Sequence, residues 1–165
     1  MATDAESLLV LVVEDDPGDV ALITSALNDL SMPTTVYHVE DGADALAFLH
    51  RQDGYGDMPR PDLILLDLNM PRVDGRQVLA QIKADPQLMA IPVVVFTTSA
   101  TPDDIIGSYT AHANAYVAKP LDLDEFERAL TQIRSFYGRT ATLPRRVPDA
   151  AGEDDVTGDI VGGGG

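Results

Sequence analysis

Two kinds of hydrophobic spacing alternate along this chain, and that alternation constrains the fold more than any other feature. Leu8–Val13 is an unbroken apolar run, Thr34–Val39 is rich in β-formers, Leu63–Leu66 and Val93–Phe96 are again apolar, and Ala115–Ala118 is a shorter run. Runs of this kind read as strands buried on both faces. Between and after them, apolar residues recur at helical spacing. Val20, Ile23, Leu27 and Leu30 form one stripe, Ala45, Leu46 and Leu49 a second, and Val78, Leu79 and Ile82 a third. Ile105, Ile106 and Tyr109 suggest a fourth helix, and Phe126, Leu130, Ile133 and Tyr137 the last. Strand followed by helix throughout predicts a parallel sheet with helices on both faces, a (βα)5 unit that ends near Tyr137.

The helix starts agree with this reading. Asp41 with Asp44, Asp74 with Gln77 and Asp122 with Glu125 each pair a cap residue with a polar partner three positions later. Asp16-Pro17 and Thr101-Pro102 each place a capping side chain before a proline at the first helical position. Beyond Gly138 the pattern changes: Arg139–Pro148 is basic and proline-punctuated, and Asp149–Gly165 is small, acidic and glycine-rich. The expected organisation is a flexible N-terminus over 1–6, a folded domain over 7–138, and a largely disordered extension over 139–165.

Composition narrows the function classes. Without cysteine, disulfides, thiolate catalysis and cysteine-ligated metals are excluded. No apolar segment reaches the roughly 20 residues that a membrane span needs, and the start lacks the basic region of a signal peptide, so a cytoplasmic location is expected. The net charge of −16 repels nucleic-acid phosphates and argues against DNA or RNA binding. Asp outnumbers Glu 21 to 6 and the only lysines are Lys83 and Lys119. That asymmetry suggests a halophile, whose salty cytoplasm screens self-repulsion; a generally acidic bacterial protein is the alternative.

In open parallel sheets, chemistry sits outside the carboxyl ends of the strands. The first run delivers Glu14, Asp15 and Asp16 to that edge, the third Asp67, the fourth Thr97, Thr98 and Ser99, and the fifth Lys119 before Pro120. Clustered carboxylates disfavour one another's ionisation, and a hard divalent cation such as Mg2+ relieves this. Lys119 brings a fixed positive charge and Thr97 a hydroxyl for an oxyanion. These parts fit phosphoryl transfer, in which a carboxylate can act as nucleophile and form an aspartyl phosphate. Taken singly, each residue is equally well read as a helix start or a turn; their joint arrival at one edge is the signal.

Val12-Val13-Glu14-Asp15-Asp16-Pro17, Leu65-Leu66-Asp67-Leu68-Asn69-Met70-Pro71, Asp74-Gly75, Phe96-Thr97-Thr98-Ser99 and Tyr116-Val117-Ala118-Lys119-Pro120 resemble the receiver domain of two-component response regulators over about residues 7–137. Ala47-Phe48-Leu49-His50-Arg51, the Pro59-Arg60-Pro61 segment and Phe96-Thr97-Thr98-Ser99 resemble the single-domain regulators associated with phytochromes and related sensor kinases.

That resemblance implies an α/β fold, a doubly wound flavodoxin-like three-layer sandwich with strand order 2-1-3-4-5. It implies that Asp67 accepts a phosphoryl group from a sensor histidine kinase. Asp15 then binds Mg2+ directly, Glu14 acts through water, and Asp67 and the Asn69 carbonyl complete the metal site. Thr97 and Lys119 bind the phosphoryl group, Thr97 and Tyr116 form the switch, and the Lys119–Pro120 peptide is cis. Asp16 reads as a helix cap. Thr98 and Ser99 border access to the site, with Thr98 larger than the residue usual there. With no general base at Asn69 or Ser99, a phosphate lifetime of minutes or longer is expected.

Output is then expected through protein–protein contact in a phosphorelay, since no DNA-binding or enzyme module fits after Tyr137. Phe136, Tyr137 and Leu143-Pro144 offer a homodimer contact or simply finish the last helix against the sheet. Two other classes stay in view. An aspartate-nucleophile phosphatase needs a second acid two residues after the nucleophile, where this chain has Asn69. A pseudo-receiver scaffold needs no acceptor groups, and here all are present.

Overall fold

The computed structural model describes residues 7–28 and 31–144. The expectations for residues 1–6 and 145–165 lie outside the described residues, as does Leu30. The elements run β1 (Leu8–Val13), α1 (Pro17–Leu27), β2 (Thr34–Val39), α2 (Gly42–His50), β3 (Leu63–Leu66), α3 (Gly75–Ala84), β4 (Val93–Thr97), α4 (Pro102–Thr110), β5 (Ala115–Ala118) and α5 (Leu123–Ser135). All strand pairings are parallel, in the order β2-β1-β3-β4-β5. This is the doubly wound order the resemblance implies, with β4 one residue longer than the apolar run.

Strand side chains alternate between two cores, as the pleat requires. Leu11, Val13, Ile64, Leu66, Val93 and Val95 pack against Phe48, Leu49, Val78, Leu79 and Ile82 from α2 and α3. Leu8, Val10, Val12, Leu63, Leu65, Val94 and Phe96 face Ile23, Leu27, Phe126, Leu130 and Ile133 from α1 and α5. The inner strands β1, β3 and β4 are therefore apolar throughout because each is covered twice, whereas the edge strands β2 and β5 are only partly buried.

The caps form as their spacing predicts. Asp16, Asp41, Asp74, Thr101 and Asp122 are N-caps whose side chains accept backbone N–H groups, and Asp74 with Gln77 closes a capping box. Asp16 is thus occupied as the cap of α1. Lys83 is also structural: its Nζ donates to the carbonyls of Met89 and Ile91 and to Asn114 Oδ1, at 3.0, 2.9 and 3.1 Å.

Two details differ from expectation. The stripe Ile105, Ile106, Tyr109 suggests a core face, yet Ile106 is 64% and Tyr109 49% exposed, and Ser108 is the buried residue of α4. The helix lies beside β5, a four-residue edge strand whose narrow surface cannot cover it. The chain also stays packed beyond α5. A wider π-helical turn covers Phe136–Thr140, Tyr137 and Leu143 are buried in the α1/α5 core, and Phe136 remains half exposed. Tyr137 and Leu143 therefore finish the domain's own interior. No described helix is long and apolar enough to cross a membrane.

Candidate functional site

Register brings the chemistry together. Val13 is paired with Leu66, Leu66 with Val95, and Thr97 with Ala118, so the residues that follow leave the sheet at one edge. Backbone bonds continue the ladder there. The N–H of Glu14 donates to Val39, that of Asp67 to Val13 and that of Lys119 to Thr97, at 3.1, 3.0 and 2.8 Å. Glu14, Asp67 and Lys119 are therefore each fixed by a sheet hydrogen bond at their own backbone.

The loop after β3 is held from below by α3. The Gly75 N–H donates to the Leu68 carbonyl at 3.0 Å. A Cβ on Gly75 would strike the Asp67 carbonyl oxygen and come within 2.7 Å of Leu68 Cα. Glycine is needed because α3 begins directly against the backbone that carries Asp67. This gives the Asp74-Gly75 motif its physical meaning.

Asp67 is buried and meets three partners. Thr97 Oγ1 donates to its Oδ1 at 2.7 Å, the Asn69 N–H reaches the same oxygen at 3.3 Å, and Lys119 Nζ lies 3.4 Å from Oδ2. The Lys119 ammonium also contacts Glu14 Oε2 at 2.5 Å and Asp19 Oδ2 at 2.8 Å, and sits 5.9 Å above the Phe96 ring. Its side chain is only 4% exposed.

Burial opposes the charge on Lys119. Hydrogen bonds to Asp19 and Glu14 and the charges of Asp67 and Glu14 outweigh it, so its pKa rises above the ordinary lysine value. Glu14, 2% exposed, yields instead. Burial pushes its carboxyl up to about 7 against the hydrogen bond from Lys119, and the charge of Asp67 adds to the rise. Positive charge is in short supply at this edge.

Glu14, Asp15 and Asp67 each offer an oxygen, and these atoms lie within 4.8 Å of one another. Glu14 and Asp67 are buried while Asp15 is exposed. Such an oxygen set suits a hard divalent cation approached from solvent. Asn69 is exposed beside it.

The remaining predicted residues border the site. Thr98 is exposed. Ser99 is half-buried: its Oγ donates to Asp104 Oδ2 at 2.5 Å and its carbonyl accepts the Tyr116 hydroxyl at 2.6 Å. Tyr116 is half-buried against the α2/α3 core, and its N–H donates to the Tyr109 hydroxyl at 3.1 Å. The described residues contain no cis peptide bond, so Lys119–Pro120 is trans. That corrects the cis expectation and leaves the isomer that X-Pro bonds favour by about 0.5–1 kcal/mol.

Three contributions are not legible from spacing. Asp19 reads as an ordinary acid in the first helical turn, yet it binds Lys119. His38 Nε2 donates to the Glu14 carbonyl at 2.8 Å from the neighbouring strand. Arg76 joins α3 to α4 through Asp104 at 2.7 Å, the same carboxylate that accepts from Ser99. Only the count of acids around the first strand end hints at Asp19.

Residues 10–131 match the response regulator receiver domain family. The chain is 45% identical over 136 residues to the response regulator Rcp1 of Synechocystis sp., covering 82% of this chain and 92% of that one. It is 38% identical over 132 residues to the probable methanogenesis regulatory protein FilR2 of Methanothrix harundinacea, covering 80% and 84%. Among solved structures it is similar to the phosphorylated cyanobacterial phytochrome response regulator RcpA, with TM-score 0.81, 46% identity, and 84% and 99% coverage. The Mn2+-bound form of Rcp1 gives TM-score 0.79, 45% identity, and 82% and 98% coverage. Five parallel strands in this order, a carboxylate cluster at their carboxyl edge and these likenesses agree: the chain belongs to the response regulator receiver domain family.

Proposed function

We propose that Asp67 is the phosphoacceptor, taking a phosphoryl group from a sensor histidine kinase of the phytochrome-associated kind and holding it as a signal. The observation that carries this is the environment of the Asp67 carboxylate, with Thr97 Oγ1 on one oxygen and Lys119 Nζ near the other. Both are donors that a phosphoryl group needs.

In the transfer step, an Asp67 oxygen attacks phosphorus, the bond from phosphorus to the donor breaks, and the donor leaves with the electron pair. Thr97 and Lys119 then donate hydrogen bonds to the phosphoryl oxygens. Glu14, Asp15 and Asp67, with the Asn69 carbonyl, are the groups that would hold Mg2+. Bound there, the cation supplies positive charge to the transferring group and relieves the repulsion among the carboxylates. The Mn2+-bound form of Rcp1 supports a divalent ion in this family.

Asn69 and Ser99 offer no base poised to activate water, which favours storage over turnover. Output is proposed through Thr97 and Tyr116 to the face of α4, β5 and α5. Exposed Ile106, Tyr109, Leu121 and Leu123 there suit a protein partner or a second copy of the chain.

The test is incubation with acetyl phosphate and Mg2+, followed by isolation of the phosphoprotein and timing of its decay. A phosphoprotein that persists for minutes or longer supports a receiver. Decay within seconds with continued release of inorganic phosphate supports a phosphatase, and a chain that takes no adduct supports a scaffold.

A further inference from the structure

We infer that Asp19 is a positioning residue for phosphoryl transfer, its carboxylate anchoring the Lys119 ammonium so that a remaining N–H is aimed at Asp67. This rests on the reading of Asp67 as phosphoacceptor.

An ammonium on a four-carbon stem has three donors and no fixed direction of its own. Here three carboxylates surround it. The contacts to Glu14 Oε2 and Asp19 Oδ2 are short, 2.5 and 2.8 Å, while that to Asp67 Oδ2 is 3.4 Å. The two closest partners are thus the acids that do not receive the phosphate. As the O–P bond forms at Asp67 and the donor leaves with its electron pair, the third N–H exchanges an Asp67 oxygen for a phosphoryl oxygen. The other two contacts can stay in place, so the ammonium need not reorganise.

Glu14 and Asp19 are not equivalent in this duty. Glu14 belongs to the carboxylate group that faces a cation, whereas Asp19 does not. Asp19 is the anchor left to Lys119 when a cation draws on Glu14. Its placement is firm: it lies in the first turn of α1, where its N–H donates to the capping Asp16 Oδ1 at 3.2 Å. A side chain serving only the helix dipole could point to solvent; this one crosses to the end of β5.

The experiment follows adduct formation on the full chain by intact mass, with acetyl phosphate as donor, for the wild type, Asp19→Ala, Asp19→Ser and Asp19→Asn. Serine keeps a residue suited to helix starts but is too short to reach Lys119, and asparagine keeps an acceptor oxygen without the charge. At saturating donor and Mg2+, the rate constant falls about tenfold or more in the alanine and serine variants and stays within about threefold in Asp19→Asn. The half-saturating concentrations of donor and Mg2+ stay within about twofold of the wild type.

Equal rates in all four proteins overturn the inference and leave Asp19 a helix-terminal charge. An Asp19→Asn loss as large as the alanine loss overturns positioning in favour of charge alone. A raised Mg2+ requirement at an unchanged plateau overturns it in favour of a metal-binding role. A wild type that takes no adduct overturns the phosphoacceptor reading, and this inference with it.

Discussion

Thr97 Oγ1 donates to Asp67 Oδ1 at 2.7 Å, and both residues are buried at the carboxyl edge of the sheet. The hydroxyl already addresses the carboxylate we propose as phosphoacceptor, so in that reading it can follow the charge as it moves outward onto phosphoryl oxygens. Thr97→Ala removes this bond without adding bulk. Denaturant unfolding is expected to show a loss of about 1 kcal/mol. Phosphorylation persists at a reduced rate in the variant, while binding of a phosphorylation-dependent partner weakens more than phosphorylation does.

Gly75 admits no side chain because α3 starts against the Asp67 carbonyl. Gly75→Ala is expected to push the β3–α3 loop outward and destabilise the fold by about 1–3 kcal/mol. Asp67, the proposed acceptor, moves with its backbone, so adduct formation with acetyl phosphate is expected to slow more than the stability loss explains. A variant with wild-type rate and wild-type unfolding midpoint contradicts the contact.

Much of this was legible in the residue pattern. The five strands and the caps follow from two periodicities and from acids and threonine before helix starts. The edge cluster follows because a parallel sheet carries all its strand ends to one side. Asp19 and His38 were not legible, because their roles depend on which strand lies beside which and on side-chain reach. The exposure of Ile106 and Tyr109 was hidden for a related reason: helical spacing reports an apolar stripe, not whether an edge strand is wide enough to cover it.

Asp41 links acid pH to stability away from the carboxylate cluster at the strand ends. Burial works to raise its pKa, but the Asp44 N–H and the Arg72 guanidinium, whose Nε donates to Oδ2 at 2.8 Å, together hold it below the ordinary carboxylate value. A lowered folded-state pKa stabilises the fold above the unfolded value, and that gain is lost as pH falls through the folded one. Asp41→Ala is therefore expected to cost about 1 kcal/mol near neutral pH as a lost N-cap. The gap to wild type should narrow steadily below the ordinary carboxylate range, which unfolding curves across acid pH will measure.

The surface charge predicts a salt response. With 27 acidic and 11 basic residues, repulsion acts over a Debye length of about 10 Å at 0.1 M salt and about 3 Å at 1 M. Thermal melts should therefore move upward from low to molar KCl. A midpoint that does not rise over that range removes the halophilic reading of the composition.

The central claim is that the phosphate sits on Asp67, and chemical trapping tests it most directly. Borohydride reduces an aspartyl phosphate to homoserine, releasing phosphate and marking the residue that carried it. After incubation with acetyl phosphate and Mg2+, peptide mapping is expected to find homoserine at position 67, and none in Asp67→Asn treated alike. Homoserine at Asp15 or another acid, or an adduct undiminished in Asp67→Asn, would contradict it.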